Sequence, residues 1–264
     1  MGLQMQELKI PQIGLGTFDL KEEPIFDALN IGYRLLDTAW QYGNEEEVGS
    51  AIKKFGKREN LIITTKLWTE DIRKGKIREE FEDSLKKLKL DYVDIYLIHW
   101  PAEGFEHAWE EMALLKEEGK VKSIGVSNFN RHHIERLKAV SGILPIMNQI
   151  ESHPYFGNNE NIEYCKSQGI RVQAWCPLGG SFGTLRNDEV ILKLAEKYGR
   201  TASQIVLRWH IQRGVLIIPR SSKESRLREN MNIFDFQISQ QDMDIINSLD
   251  IGRRMGADPD NFNF

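Results

Sequence analysis

A closed (β/α)8 barrel, an α/β fold of the TIM-barrel kind, is what this sequence predicts. Short apolar runs alternate with longer amphipathic segments along the whole chain, and about eight such strand–helix units fit into 264 residues, a normal length for one barrel domain. The runs are apolar on both faces, as parallel strands covered by helices must be. Residues with chemistry follow directly after the runs, where a barrel carries its active site. An open doubly wound sheet is the alternative architecture. No internal repeat, low-complexity stretch or linker divides the chain, so a single domain over residues 1–264 is expected.

The first strand lies at Ile13-Gly-Leu-Gly16, after an N-terminal segment read as a short hairpin. A helix over 24–30 begins with Pro24, whose fixed φ and missing N–H suit a first helical position. Residues 34–37 form the second strand, and a helix starts near Glu45. Strand 61–66 precedes a helix over 73–89 in which Ile77, Phe81, Leu85 and Leu88 share one face. Strand 92–98 and helix 106–118 come next. Further strands are expected at 121–126, 144–149, 170–175 and 215–218. Thr201-Ala-Ser-Gln204 is a capping box opening a helix through Trp209. Ser239-Gln-Gln-Asp242 opens another, with Met243, Ile246 and Leu249 inward. The short C-terminal tail, 252–264, reads as loop.

Composition narrows the function classes. With 41% hydrophobic and 28% charged residues the chain can bury a large core and is not disordered. A net charge of −4 argues against bulk electrostatic binding to nucleic acid. Neither an export signal nor an apolar run of ~18 residues points to a membrane. Cys165 and Cys176 have neither redox nor zinc spacing, so two free thiols in a reduced cytoplasm are expected.

The strand ends carry the chemistry. The second strand delivers Asp37, with Tyr42 in its loop. The third ends in Lys66, followed by Leu67 and Trp68, and the fourth in His99, Trp100 and Pro101. The fifth gives Ser127 and Asn128, the sixth Gln149 with Glu151 beyond. The seventh gives Trp175-Cys-Pro177-Leu178, the eighth Pro219-Arg220-Ser221-Ser222. Singly, each has an ordinary explanation: Asp37 as a turn cap, Lys66 as a surface lysine, His99 as a bonded core histidine, Tyr42 as packing. Four ionisable groups at one end of three neighbouring strands are a poor core and a good site. A buried acid needs a cation. A lysine beside a tyrosine favours the phenolate and lowers its pKa from ~10. A histidine can orient a carbonyl oxygen. The set is an acid–base device for a carbonyl or alcohol oxygen. No nucleophile pattern and no metal cluster is apparent. His132-His133 reads as a helix-start pair, and His107 and His210 as structural or solvated.

On these residues the chain resembles the aldo-keto reductase family over essentially its whole length. The motifs are Gly-Leu-Gly-Thr at 14–17, Asp37-Thr-Ala-x-x-Tyr42-Gly-Asn-Glu45, Thr65-Lys66-Leu-Trp68, Asp94-x-Tyr-Leu-Ile-His99-Trp-Pro101, Ile124-Gly-Val-Ser127-Asn128-Phe, Asn148-Gln149-Ile-Glu, and Ile218-Pro-Arg-Ser-Ser followed by Arg226-Leu-x-Glu-Asn230. Compact loops and a short tail are most similar to its prokaryotic 2,5-diketo-D-gluconate-reductase-like branch. The resemblance implies an NADPH-dependent, cytoplasmic, monomeric reductase of small-molecule aldehydes and ketones. It makes Tyr42 the general acid, Lys66 and Asp37 its tuning groups, and His99 the residue orienting the carbonyl. Ser127, Asn128 and Gln149 would hold the nicotinamide carboxamide, with Trp175 stacked on the ring. Gly16, Thr17, Phe18, Asp37, Pro177 and Leu178 would line the cofactor. Arg220, Ser221, Ser222 and Arg226 would clamp the 2′-phosphate, and Glu229 and Asn230 the adenine. Arginines and hydroxyls near a helix start suit a phosphate.

Gly14-x-Gly16 lacks the third glycine of a Rossmann turn, so a cofactor across a barrel mouth fits better. Arg220 stands where the family usually has lysine, which leaves NADH as a candidate second cofactor. Phe18, Trp40, Trp68, His99 and Trp100 are the expected substrate contacts, in a pocket left open by the short loop after His99. His99 separates the chain from relatives that carry glutamate there and reduce carbon–carbon double bonds. The competing classes are a non-catalytic cofactor-binding regulatory protein on the same barrel and a metal-dependent barrel hydrolase. The intact Asp37, Tyr42, Lys66 and His99 set speaks against the first, and the lack of a ligand pattern against the second.

Overall fold

A computed structural model of the protein describes residues 8–180 and 185–264. Eight strands follow in chain order: β1 (Leu15–Gly16), β2 (Leu35–Asp37), β3 (Ile62–Leu67), β4 (Val93–Ile98), β5 (Val121–Ser127), β6 (Met147–Glu151), β7 (Arg171–Trp175) and β8 (Leu216–Ile217). Each pairs in parallel with the next. Ile13 closes the circle by bridging in parallel to Ile217, with the Gly14 N–H donating to Ile217 O at 2.8 Å and the Ile217 N–H to Gln12 O at 2.9 Å. Closure removes the free sheet edges and with them the open-sheet alternative. The fold is a single-domain (β/α)8 barrel.

Around it run α1 (Glu22–Ile31), α2 (Glu45–Phe55), α3 (Thr69–Lys74), α4 (Ile77–Leu88), α5 (Phe105–Glu117), α6 (Arg131–Ser141), α7 (Asn159–Ser167), α8 (Glu189–Tyr198), α9 (Ala202–Gln212), α10 (Glu224–Met231) and α11 (Gln240–Asn247). Among the described residues no helix is long and apolar enough to cross a membrane.

Strand alternation positions the site. Along β4, Tyr96 and Ile98 belong to the large layer shared with the helices, whereas Ile95 and Leu97 form a separate inner cluster with Met147, joined by Leu8, Ile10, Ile62, Ile146 and Leu216. Successive side chains of a strand point to opposite faces. His99 therefore continues the inward series 95–97–99, Lys66 the series 62–64–66, and Gln149 and Glu151 the series that starts at Met147. One half of the barrel interior is apolar and the carboxyl-end half is polar. Each fully buried Leu or Ile contributes about 1.5–3 kcal/mol, and this apolar half helps offset the cost of burying charge above it. Gly125 of β5 is needed in the inner layer: a Cβ there would stand 2.8 Å from Leu97 Cδ2 and 2.9 Å from Met147 O.

Several boundaries differ from expectation. α1 begins at Glu22, so Pro24 is its third residue; the missing N–H is still one of the first four that have no helical partner. The helix expected over 73–89 is two helices, because Gly75 at φ 67° turns the chain out of α3 and α4 restarts at Ile77. β6 runs on to Glu151, which is a strand residue. Leu249 lies past the end of α11 and is half-buried against the cluster that Met243 and Ile246 join. The N-terminal hairpin falls largely on residues 1–7, outside the described ones, and residues 8–12 carry no strand.

Candidate active site

Asp37, Lys66 and His99 come from the carboxyl ends of β2, β3 and β4, and Tyr42 ends a 3-10 turn, Trp40–Tyr42, that follows β2. The turn closes on Gly43 at φ 64°, which folds the chain back so that the phenol lies over the strand ends. Lys66 is fully buried, and all three of its N–H groups are used: on Asp37 Oδ1 at 2.5 Å, Thr38 O at 2.8 Å and the Tyr42 hydroxyl oxygen at 3.1 Å. The second oxygen of Asp37 accepts Gln149 Nε2 at 2.6 Å. The Tyr42 ring meets Phe18 and His99 edge-on, with centroids 5.2 and 5.9 Å away. His99 Nδ1 is buried without a partner among the described residues.

The electrostatics correct one expectation. Burial dominates at Tyr42 and, with Asp37 adding to it, holds the phenol above its ordinary value; Lys66 pulls the other way but does not win. Tyr42 is thus a neutral phenol through the neutral range, ready to donate. Burial acts to lower Lys66, yet the attraction of Asp37 and Tyr42 holds it above the usual lysine value, so it stays charged. Burial, helped by the Lys66 charge, keeps His99 well below 6.5 and hence neutral.

Tyr42 and His99 open onto a cleft of about 1080 Å³ across the barrel mouth. Asp37, Ser127, Asn128, Gln149, Trp175, Pro177, Leu178, Gly16 and Phe18 line its inner part, and Arg220, Ser221, Ser222, Arg226, Glu229 and Asn230 its far end, together with Trp100 on the opposite side. The donor set fits a nicotinamide dinucleotide phosphate. Gln149 has both amide hydrogens engaged, on Asp37 and on Gln173 Oε1 at 2.7 Å, which leaves its oxygen for a carboxamide N–H. Asn128 accepts the Trp175 indole N–H at 2.8 Å and donates to Ser127 Oγ at 3.2 Å. At the far end Lys223 joins Arg220 and Arg226 beside the start of α10, with Ser221 Oγ accepting the Lys223 N–H at 3.1 Å. Cations, hydroxyls and a helix start are the chemistry that receives a phosphate. Arg220 is also tied down: it donates to Phe18 O and Asp19 O and pairs with Asp19 Oδ2 at 2.9 Å, strapping the β8 loop to the β1 loop.

Two expected contacts lie elsewhere. Thr17 is fully buried with its hydroxyl on Asp37 O at 2.9 Å, so it supports the strand end and does not line the cleft. Trp40 turns away to α4, where its indole N–H donates to Asp83 Oδ2 at 3.0 Å and Lys87 lies over its ring; it is withdrawn as a substrate contact. The pocket is also less open than the short loop suggested. Phe264 stacks on Trp68 at 5.5 Å and meets Trp100 edge-on at 5.1 Å, and Phe262 joins them. Trp68 in turn touches His99.

The tail reaches this place because Asp260 is clipped to the start of α6. Asn130 Nδ2 donates to it at 2.8 Å, and His132 and His133 Nε2 lie 3.1 and 3.4 Å away. Geometrically the two histidines and Asp260 could gather a metal ion. His133 Nδ1, however, accepts the Asn130 N–H at 3.1 Å, so its proton sits on Nε2 and faces Asp260. Burial pushes this ring down to about 4, which keeps it neutral. The cluster is a clip for the tail. Met255, Phe262 and Phe264 at the mouth had no periodicity or spacing to announce them.

Fold and site together define a class: a parallel barrel whose strand ends carry a buried acid–base group beside a long cleft with a basic far end. The family model described as Aldo/keto reductase family matches residues 13–251. The chain is 44% identical over 264 residues to the glyoxal reductase of Bacillus subtilis (strain 168), covering 97% of this chain and 95% of that one. It is 43% identical over 261 residues to methylglyoxal reductase DkgA of Escherichia coli (strain K12), covering 96% and 94%. The crystal structure of MGS-M4, an aldo-keto reductase enzyme from a Medee basin deep-sea metagenome library, matches with a TM-score of 0.93 at 41% identity over 97% of each chain. This protein belongs to the aldo/keto reductase family and is an oxidoreductase of that family.

Proposed function

We propose that the protein is an NADPH-dependent reductase that converts an aldehyde or ketone to an alcohol, with Tyr42 as the proton donor. The observation that carries this reading is the Tyr42 hydroxyl, neutral and 3.1 Å from the buried Lys66 ammonium, on the wall of a cleft of about 1080 Å³. The bound nicotinamide supplies the hydride. Ser127, Asn128 and Gln149 would hold its carboxamide, Trp175 would stand against its ring, and Arg220, Ser221, Ser222 and Arg226 would hold the 2′-phosphate. His99, neutral, donates a hydrogen bond to the carbonyl oxygen and turns it toward Tyr42. As negative charge develops on that oxygen, Tyr42 transfers its proton there. Lys66, already bonded to the phenolic oxygen, stabilises the phenolate left behind. Asp37 keeps Lys66 charged and in place. Phe18 and Trp100 give the cleft wall aromatic surface, and Trp68, Phe262 and Phe264 pack around Trp100 and His99 behind it. The relatives' names make short 2-oxoaldehydes the first substrates to assay.

Tyr42→Phe removes only the hydroxyl. It is expected to abolish NADPH oxidation with methylglyoxal while leaving NADPH affinity within about twofold. Turnover near wild type in that variant would refute the mechanism.

A further inference from the structure

Glu151 closes β6 on the inward side, buried to 2% exposure, and takes no part in the acid–base group. Its carboxylate holds the C-terminal tail. Oε1 accepts the Met255 N–H and lies 3.1 Å from His153 Nε2, and Oε2 accepts the Gly256 N–H at 3.1 Å. Hydrogen bonds to a buried carboxylate are among the stronger ones, so the chain at Gly256 has little freedom to move.

β6 and β7 are in register with Glu151 opposite Trp175, and Gly256 therefore lies on the indole. A Cβ at Gly256 would stand 2.5 Å from Trp175 Cη2 and 3.2 Å from Cζ2, with Glu151 Oε2 at 3.4 Å on its other side. This is closer than carbon atoms approach, so the indole, whose free side lines the cleft, has to shift toward the cofactor space. The other end of the indole is pinned through its N–H on Asn128 Oδ1 at 2.8 Å. The ring is thus fixed at its pyrrole end by β5 and at its benzo end by the tail.

We propose that Gly256, held by Glu151, is a positioning residue: the tail sets the plane of Trp175, and through it the platform on which the nicotinamide lies. This rests on the reading of Trp175 as that platform. A methyl group at 256 has to push the benzo edge by about an ångström, and misplacements of that size cost up to ~100-fold where geometry matters.

The test compares Gly256→Ala, Trp175→Phe and the double variant in the full chain, by NADPH titration, steady-state kinetics and thermal melting. Phenylalanine lacks the benzo atoms that the new methyl would strike. Trp175→Phe is expected to weaken NADPH binding roughly tenfold, and Gly256→Ala to do the same with a lowered kcat. In the Trp175→Phe background, Gly256→Ala is expected to change binding by no more than about twofold, because two changes that act through the same contact do not add. Wild-type NADPH affinity in Gly256→Ala, or losses that multiply in the double variant, would overturn the proposal. Unchanged affinity in Trp175→Phe would instead remove the platform role itself and the proposal with it. Should Gly256→Ala fold poorly, Glu151→Gln serves: it turns an acceptor into a donor facing the tail, and is expected to weaken NADPH binding only when Trp175 is present.

Discussion

Replacing Lys66 by methionine tests the charge arrangement most directly. The side chain is of similar length and removes a single ammonium from a site where it and Asp37 are 0% and 1% exposed. Three bonds disappear: those to Asp37 Oδ1, Thr38 O and the Tyr42 oxygen. The Asp37 carboxylate keeps, among the described residues, the Gln149 N–H. Breaking a buried pair from one side costs about 3–5 kcal/mol, because the remaining charge is stranded in a medium of low dielectric. Burial already holds Asp37 above its unfolded value of about 3.9 against the pull of Lys66, and losing the cation raises it further. An acid with a raised folded pKa stabilises the fold when protonated and loses that stability as pH rises through the unfolded value. The deficit of Lys66→Met is therefore largest at neutral pH and narrows toward pH ~4. Adding Asp37→Asn removes the stranded charge and is expected to recover most of the loss. Urea denaturation of wild type, Lys66→Met and the double variant at neutral and acidic pH measures all of this. A neutral-pH loss below about 1 kcal/mol, or one that Asp37→Asn does not relieve, would show that the pair is not the buried ion pair that the physics of stranded charge requires.

Two further outcomes concern the cofactor cleft and a second buried acid. Arg226→Ala removes a cation from the cleft wall beside α10 and should weaken NADPH roughly tenfold while leaving NADH nearly unchanged; equal losses in binding titrations would remove its proposed 2′-phosphate role. Glu80 of α4 is 4% exposed and accepts the Trp68 N–H, and burial pushes its carboxyl from 4.5 up to about 9. The folded protein holds that proton while the unfolded chain releases it, so stability is full below about 4.5 and falls as pH rises toward about 9. Glu80→Gln is expected to raise the melting temperature at pH ~8 and to match wild type at pH ~4; a constant difference at both pH values would contradict it.

Much of the site was legible because a barrel ties chemistry to chain order. Asp37, Lys66, His99, Gln149 and Trp175 each end an apolar run, and the alternation of a strand leaves only one face for each to occupy. The (β/α)8 class follows from the same runs. Local sequence also marked the capping boxes at Thr201 and the cap at Ser239. The sequence could also say that a lysine lowers a neighbouring tyrosine. It could not say that burial outweighs it, because desolvation depends on everything packed around the phenol. Trp40 shows a similar limit: two residues from Tyr42, it reads as part of the mouth, but its indole finds Asp83, forty-three positions away. The tail shows the limit most fully. Residues 252–264 have no periodicity and read as loop, which they are. Only in three dimensions does Glu151 meet Met255 and Gly256, and Asp260 meet the head of α6, so that Phe262 and Phe264 arrive on Trp100 and Trp68. Those contacts span about a hundred residues or more and are made by backbone groups and single side chains. Strand ends are set by a repeating local pattern and can be read from it. The seat of an irregular tail is set by whichever buried acceptors the finished fold leaves within reach.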